Sequence, residues 1–158
     1  INTVANGGTY VAPKLLTATL GPDGKITETD PSPTHEVISS ATAATMTGMM
    51  TDVVCYGTGK LAQLPSMSVA GKTGTAYKTN DGTYGEDGNR KYRATFVGFF
   101  PAQAPRVTIL VTIDEPDPTS HDRFGGTAAA PLFTTVATAA IHELLITPPP
   151  NDVGCPAA

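Results

Sequence analysis

Val69-Ala70-Gly71-Lys72-Thr73-Gly74-Thr75-Ala76 sets one lysine and two threonines among glycines and small apolar residues, in a run short enough for a single strand. Side chains alternate between the faces of a strand, so Lys72, Gly74 and Ala76 share one face and Thr73 and Thr75 the other. Gly74 carries no side chain, and another backbone can approach closely there. The two threonine hydroxyls fall on one line, suited to a carboxylate or an extended peptide, and Lys72 adds a positive charge beside them. An ordinary strand with an exposed lysine accounts for these residues equally well, so the flanking sequence has to decide. A phosphate-binding loop, G-x-x-x-x-G-K-[ST], fits less well. It needs glycine where the chain has Ser66, and a helix straight after the lysine, where Asn80-Asp81-Gly82 and Gly85 read as loop.

The chain has 158 residues, enough for one domain with a real core. Hydrophobic residues make up 40% and charged residues 15%, which describes a globular protein with a sparsely charged surface. The net charge is −4 and there is no basic run, which argues against a nucleic-acid partner. No apolar stretch is long enough to span a membrane. Ile1-Asn2-Thr3-Val4 shows neither an initiator methionine nor a signal-peptide pattern, and the chain reads as cut from something longer. Cys55 ends an apolar helical pattern and Cys155 lies in a tail rich in Pro, Gly and Asp. A buried thiol at Cys55 and an exposed one at Cys155 are expected, with a disulfide as the alternative in an oxidising compartment. No Cys/His spacing fits zinc, and neither a metal nor a cofactor is expected.

On either side of residues 69–76 the chain alternates helix and strand. Tyr10 to Leu20, the turn Gly21-Pro22-Asp23-Gly24, and Lys25 to Thr29 predict a peripheral β-hairpin, which Pro31 and Pro33 separate from the next helix. Ser39 or Ser40 caps that helix, which runs to about Val54 with Ala43, Met46, Met49 or Met50, and Val53 as its core face. Gly57 and Gly59 stop it. Residues 79–93 form a polar loop. Strands come next at 94–100 and 107–114, and the short link from Pro101 to Arg106 makes them an antiparallel pair. Residues 107–114 look apolar on both faces, as in a central, doubly covered strand. Gly125-Gly126-Thr127 introduces a helix over about 128–145, with Pro131 in its first turn. Leu132, Phe133, Val136, Ala139, Ala140, Leu144 and Leu145 leave it apolar nearly all round, predicting a buried helix lying on the sheet. Residues 1–147 then form the folded portion and 148–158 a disordered tail.

Several segments carry a resemblance in a fixed order. They are Ala5-Asn6-Gly7-Gly8 with Tyr10 and Pro13, then Gly57-Thr58-Gly59, then the Lys-Thr-Gly strand. Phe96-Val97-Gly98-Phe99 with Pro101, Ile113-Asp114-Glu115-Pro116, and Gly125-Gly126 with Ala129-Ala130-Pro131-Leu132-Phe133 complete the series. In this order the chain resembles the C-terminal part of the transpeptidase domain of monofunctional (class B) penicillin-binding proteins, of the division or elongation type. Lys-Thr-Gly is the third signature element of that acyltransferase group. The resemblance covers roughly residues 3 to 147. It implies an α+β fold of the penicillin-binding and β-lactamase type, an antiparallel sheet with packed helices and a peripheral hairpin.

The chain departs from the family at the nucleophile. The family's serine lies in S-x-x-K and a second element reads S-x-N or S-x-D. None of Ser32, Ser39, Ser40, Ser66, Ser68 and Ser120 has lysine three residues on. Ser120-His121-Asp122 has S-x-D form but comes after Lys-Thr-Gly, where the family places it before, and neighbours in sequence cannot converge as a catalytic triad. It reads as a polar loop, and so do Asp114, Glu115 and Asp117, whose alternative is a cation site. Both missing elements lie upstream in the family.

The resemblance implies that this chain is the binding side of a peptidoglycan D,D-transpeptidase site and is inactive alone. Thr75 would give its backbone N–H to the oxyanion hole, Thr73 and Thr75 would hold a substrate carboxylate, and Lys72 would add charge and proton relay. Gly74 would let the substrate backbone pass. Implied partners are the peptidoglycan stem peptide, β-lactams, the upstream half of the domain, and division or elongation proteins. The implied location is the outer side of the cell membrane, with the anchor outside this chain. A non-catalytic module of the same fold that binds a peptide or partner, and a β-lactamase relative, are the alternatives.

Overall fold

The computed structural model describes residues 1–79, 82–86 and 90–156. Asn80, Asp81 and residues 87–89, part of the expected loop, lie outside the described residues, as do the last two residues of the expected tail.

The sheet that organises the molecule has three strands: β5 (Ala70–Tyr77), β6 (Tyr92–Phe100) and β7 (Val107–Asp114). Their order is β5-β6-β7 and both pairings are antiparallel. The Lys-Thr-Gly strand is therefore an edge among the described residues. In register, Lys72 stands opposite Val97, Thr73 opposite Phe96 and Thr75 opposite Ala94.

One face of this sheet is the main core. Phe96 and Phe100 point onto it, with Val111 and, partly buried, Val107, Ile109 and Ile113. Helix α3 (Ala130–Glu143) lies across it through Ala130, Phe133 and Ala137. Phe133 meets Phe96 edge-on at 4.8 Å between ring centroids and Phe100 at 6.1 Å. Full burial of each ring contributes about 1.5–3 kcal/mol. The facing pair Gly71 and Gly98 makes the room: a Cβ on Gly71 would strike the Phe96 ring, and one on Gly98 would lie 3.2 Å from Phe133. Among the described residues the opposite face is covered only at one end, where Val4 and Met50 pack with Ala70, Phe99 and Ala102.

Helix α2 (Ser40–Cys55) starts where predicted, with the Ser39 hydroxyl accepting the Thr42 N–H at 3.2 Å. It buries Ala43, Met50, Val54 and Cys55. Of the methionines assigned to its core, Met46 and Met49 face outward, because the buried stripe runs one step round the helix from the predicted one.

The N-terminal region is built from short pieces. Helix α1 (Asn2–Ala5) leads to β1 (Thr9–Val11), which pairs with β4 (Thr34–Glu36). Strands β2 (Ala18–Leu20) and β3 (Ile26–Glu28) form the hairpin around the predicted Gly21–Gly24 turn. The expected long first strand is thus split, since Pro13 interrupts it and Tyr10 finds its partner in His35 rather than across the turn.

Four further expectations are corrected. Strand β7 is not central: among the described residues it is the other edge. Its second face is Thr108, Leu110 and Thr112, with Leu110 65% exposed, so that face holds only one apolar side chain. The last helix is not buried all round. It begins as a wide turn over Gly125–Ala129 and continues as α3, with Leu132, Val136, Leu144 and Leu145 exposed. Its buried stripe is the one that meets the sheet, and no described element covers its back. The cysteines are joined as a Cys55–Cys155 disulfide, with 5.3 Å between their α-carbons. Finally, residues 148–156 do not form a free tail. The Asp152 carboxylate accepts the Ser68 N–H and hydroxyl, each at 2.8 Å, which satisfies the buried Ser68 side chain and ties the tail to the segment entering β5.

Candidate functional site

Among the described residues, strand β5 has a partner on one side only. Just beyond its end, the Lys78 N–H donates to the Lys91 carbonyl at 2.9 Å. Antiparallel alternation then turns the N–H and C=O of Lys72, Gly74 and Ala76 toward β6, and those of Thr73, Thr75 and Tyr77 outward. The outer edge is a row of backbone groups open to an extended ligand.

The threonine side chains of this strand line a cleft of about 480 Å³. Its far wall comes from the turn after α2 and from the turn that begins the last helix: Thr58, Lys60, Leu61, Phe124, Gly126 and Thr127. Glycines let these walls close on the strand. A Cβ on Gly125 would strike the Thr95 carbonyl, and one on Gly126 would strike the Thr58 carbonyl. The Lys60–Ala62 turn is fastened to α3 by the Thr134 hydroxyl, which donates to the Leu61 carbonyl at 2.8 Å.

Both threonine hydroxyls are engaged by these walls. Thr75 Oγ1 accepts the Gly125 N–H at 3.2 Å. Thr73 Oγ1 lies 2.8 Å from Thr58 Oγ1. Lys72 extends from the opposite face, is exposed, and bends to the edge to donate from Nζ to the Thr73 carbonyl at 2.8 Å. Among the described residues no carboxylate pairs with it. Gly74 shares the Lys72 face, where an added Cβ would strike the Thr95 hydroxyl.

The structure thus brings Thr73 and Thr75 into one cleft, with Lys72 reaching its rim from behind and Gly74 turned away. Thr58, Lys60, Phe124 and Thr127 join them without having stood out in the sequence as candidates for chemistry. Gly57-Thr58-Gly59 and Gly125-Gly126-Thr127 carried the signal, a hydroxyl beside glycine, but their approach to β5 is a matter of tertiary packing.

At the far end of β5 the charges are paired with one another. Lys78 Nζ donates to Asp114 at 2.8 Å and to Glu115 at 2.7 Å, Arg93 reaches Asp114 at 3.2 Å and Lys91 reaches Glu115 at 3.1 Å. The hydrogen bond from Lys78 is the main cause that holds both carboxyls below their usual range, and the two carboxylates raise Lys78 in turn. Asp117 is lowered by the hydroxyl and N–H of Thr119. In Ser120-His121-Asp122 the Ser120 hydroxyl accepts the Asp122 N–H at 3.0 Å, a local turn with no triad geometry.

Known proteins resemble this chain in sequence and in fold. The sequence pattern of the penicillin binding protein transpeptidase domain matches residues 1–138. The chain is 37% identical to penicillin-binding protein PbpB of Mycolicibacterium smegmatis, over 94% of this chain and 24% of that protein. It is 34% identical to stage V sporulation protein D of Bacillus subtilis, over 97% of this chain and 23% of that protein. Among solved structures it is similar to penicillin-binding protein 3 of Mycobacterium tuberculosis in complex with aztreonam. There the TM-score is 0.79 and the identity 33%, over 98% of this chain and 36% of that one. The chain therefore spans about a quarter of the length of these curated relatives.

Proposed function

The chain belongs to the penicillin-binding protein transpeptidase family, and from that premise we propose that it forms the substrate-binding wall of a peptidoglycan D,D-transpeptidase. The observation that carries the reading is the outer edge of β5, where outward N–H groups and the Thr73 and Thr75 hydroxyls meet one cleft. A peptide ending in D-alanyl-D-alanine pairs with this edge as an added strand. Its terminal carboxylate accepts from the two hydroxyls, and Lys72 at the rim contributes charge. The Thr75 N–H is one of the two donors that hold the developing oxyanion.

The family's nucleophile, the serine of S-x-x-K, has no counterpart in this sequence and is supplied by another stretch of the domain. Its oxygen bonds to the penultimate carbonyl carbon while its proton passes through the neighbouring base to the departing D-alanine amine. The acyl-enzyme then transfers its acyl group to the amine of a second peptide. A β-lactam enters the same cleft and is opened by the same attack, a reading supported by the aztreonam and ampicillin complexes of the Mycobacterium tuberculosis relative. The exposed Leu110 on the second face of the sheet, and Leu132 and Val136 on the back of α3, offer the remainder of the domain surfaces to pack on. The disulfide supports a location outside the cytoplasm. No helix among the described residues is long and apolar enough to cross a membrane.

The test is labelling with a fluorescent penicillin. The chain by itself is expected to give no denaturation-resistant band, and the same chain joined to, or mixed with, a stretch carrying S-x-x-K is expected to give one. A labelled band from the chain alone would overturn the division of labour. Carboxylate-peptide binding without labelling by the complete protein would favour a non-catalytic binding module.

A further inference from the structure

Thr58 is held more firmly than a turn residue needs to be. The Gly59 N–H donates to the Val53 carbonyl at 2.9 Å and the Gly57 N–H to Asp52 at 3.1 Å, folding the turn back on the last turn of α2. A Cβ on Gly57 would lie 2.9 Å from the Val53 carbonyl oxygen, and one on Gly59 would lie 3.2 Å from the Phe96 ring. On the other side the Thr58 carbonyl rests against Gly126. Residue 58 is fixed from both ends, and its hydroxyl meets that of Thr73 at 2.8 Å.

The hydroxyl chemistry gives this contact a direction. A carboxylate only accepts hydrogen bonds, and each threonine has one proton to give. Thr73 can donate to a carboxylate only if its proton is not given to Thr58. The proton between the two oxygens must then be that of Thr58, and the chain runs from Thr58 O–H to Thr73 O–H to the ligand. Each donation strengthens the next. Thr75 is arranged in the same way, since its oxygen accepts the Gly125 N–H and its proton stays free for the ligand. With a carboxylate bound, both threonines of the edge would have an oxygen braced by the opposite wall and a proton to give to the ligand.

We propose that Thr58 is a positioning residue that orients the Thr73 hydroxyl as a donor, and so makes the cleft select ligands that end in a free carboxylate. This rests on the transpeptidase reading for the place of the carboxylate, and its own content is the Thr58–Thr73 relay.

The experiment uses the full-length transpeptidase with Thr58→Val, which keeps shape and removes the hydroxyl, and Thr58→Ser, which restores it. Thr58→Ala replaces the valine variant if that one does not fold. Equilibrium binding is measured for a D-alanyl-D-alanine peptide and for the same peptide with a C-terminal amide. Acylation rates are measured for a penicillin and its methyl ester. Thr58→Val is expected to weaken the carboxylate ligands about 3- to 10-fold, as for one lost hydrogen bond. It should leave the amide and ester within about twofold, with Thr58→Ser near wild type. Equal weakening of both ligand classes, or of neither, overturns the relay, and acylation of the wild type in the same experiment leaves the transpeptidase reading standing. A Thr58-dependent carboxylate preference in a protein that is never acylated supports the relay and sinks the transpeptidase reading.

Discussion

Two lysines stand at opposite ends of one strand and meet opposite fates. Lys78 is locked between Asp114 and Glu115, and Arg93 and Lys91 reach the same two carboxylates. Lys72 has no carboxylate partner among the described residues and rests on a backbone carbonyl. Around Lys78 the surface is satisfied by the chain itself. Around Lys72 it is a free sheet edge, two hydroxyls and an unneutralised charge. The contrast teaches that a lysine beside a strand is informative only once its partners are known, because a neutralised ammonium has little left to offer a ligand.

The widest separation between the two ends is expected from Lys72→Ala and Lys78→Ala, compared by second-order acylation rates of the full-length transpeptidase. Lys72→Ala should cost at least about 1.5–3 kcal/mol, roughly 10- to 150-fold, as for a lost hydrogen bond to a charged group. Lys72→Arg should restore it only in part, because a planar fork does not replace a compact ammonium. Lys78→Ala should change the rate less than about twofold, since exposed ion pairs contribute little. If the two alanine variants were equally mild, the contrast would fail and the binding-module reading would gain. Thr75→Ala comes next: it keeps the outward N–H but loses one donor to the carboxylate, again about 1.5–3 kcal/mol in acylation.

A step smaller, and read in stability rather than rate, is Gly125→Ala. Its Cβ meets backbone carbonyls of β5 and β6, which cannot swing aside. Overpacking of that kind costs about 1–3 kcal/mol and should appear as a lowered melting temperature. Gly82→Ala, with open space around it but a φ of +80°, reports backbone strain alone and gives the control. An unchanged melting temperature in Gly125→Ala would mean that the cleft wall stands farther from the sheet.

The smallest effect concerns pH and belongs to the Lys78 end. Asp114 and Glu115 are lowered by their hydrogen bonds to Lys78, so their contribution is complete above the ordinary carboxylate range and fades as pH falls through the lowered values. Lys78 is raised, so its contribution is complete below the ordinary lysine value and fades as pH rises through the raised one. The gap in melting temperature between wild type and Lys78→Ala should be open at neutral pH and close in acid. A gap that persists at low pH would show that Lys78 acts through packing instead.

What could be read in the sequence was what one segment determines for itself. The alternation of Lys72 against Thr73 and Thr75 follows from strand geometry, and the antiparallel β6-β7 pair from the short link between them. What could not be read were coverings supplied from afar. Thr108 and Thr112 pass for apolar in a β-branched run, so β7 looked covered on both faces. Leu132 and Val136 gave α3 a second apolar side for which no described element provides a lining. In the cleft, Thr58 was visible as a glycine-flanked hydroxyl, but its approach to Thr73 depends on three glycine contacts distributed over two turns. Whether Cys155 pairs with Cys55 could not be decided from the sequence, because it depends on where the tail lies, and Asp152 seats that tail against Ser68.

That pairing also decides how the molecule carries load. The Cys55–Cys155 bond joins residues a hundred positions apart, and between them lie β5, β6, β7, α3 and both walls of the cleft. Tension applied between the two ends of the chain runs down α2, crosses the sulfur bridge and leaves through the last residues. The sheet and its cleft sit in a closed loop off that line, like a pendant on a chain that is pulled taut, so the covalent path of the load does not pass through the binding edge.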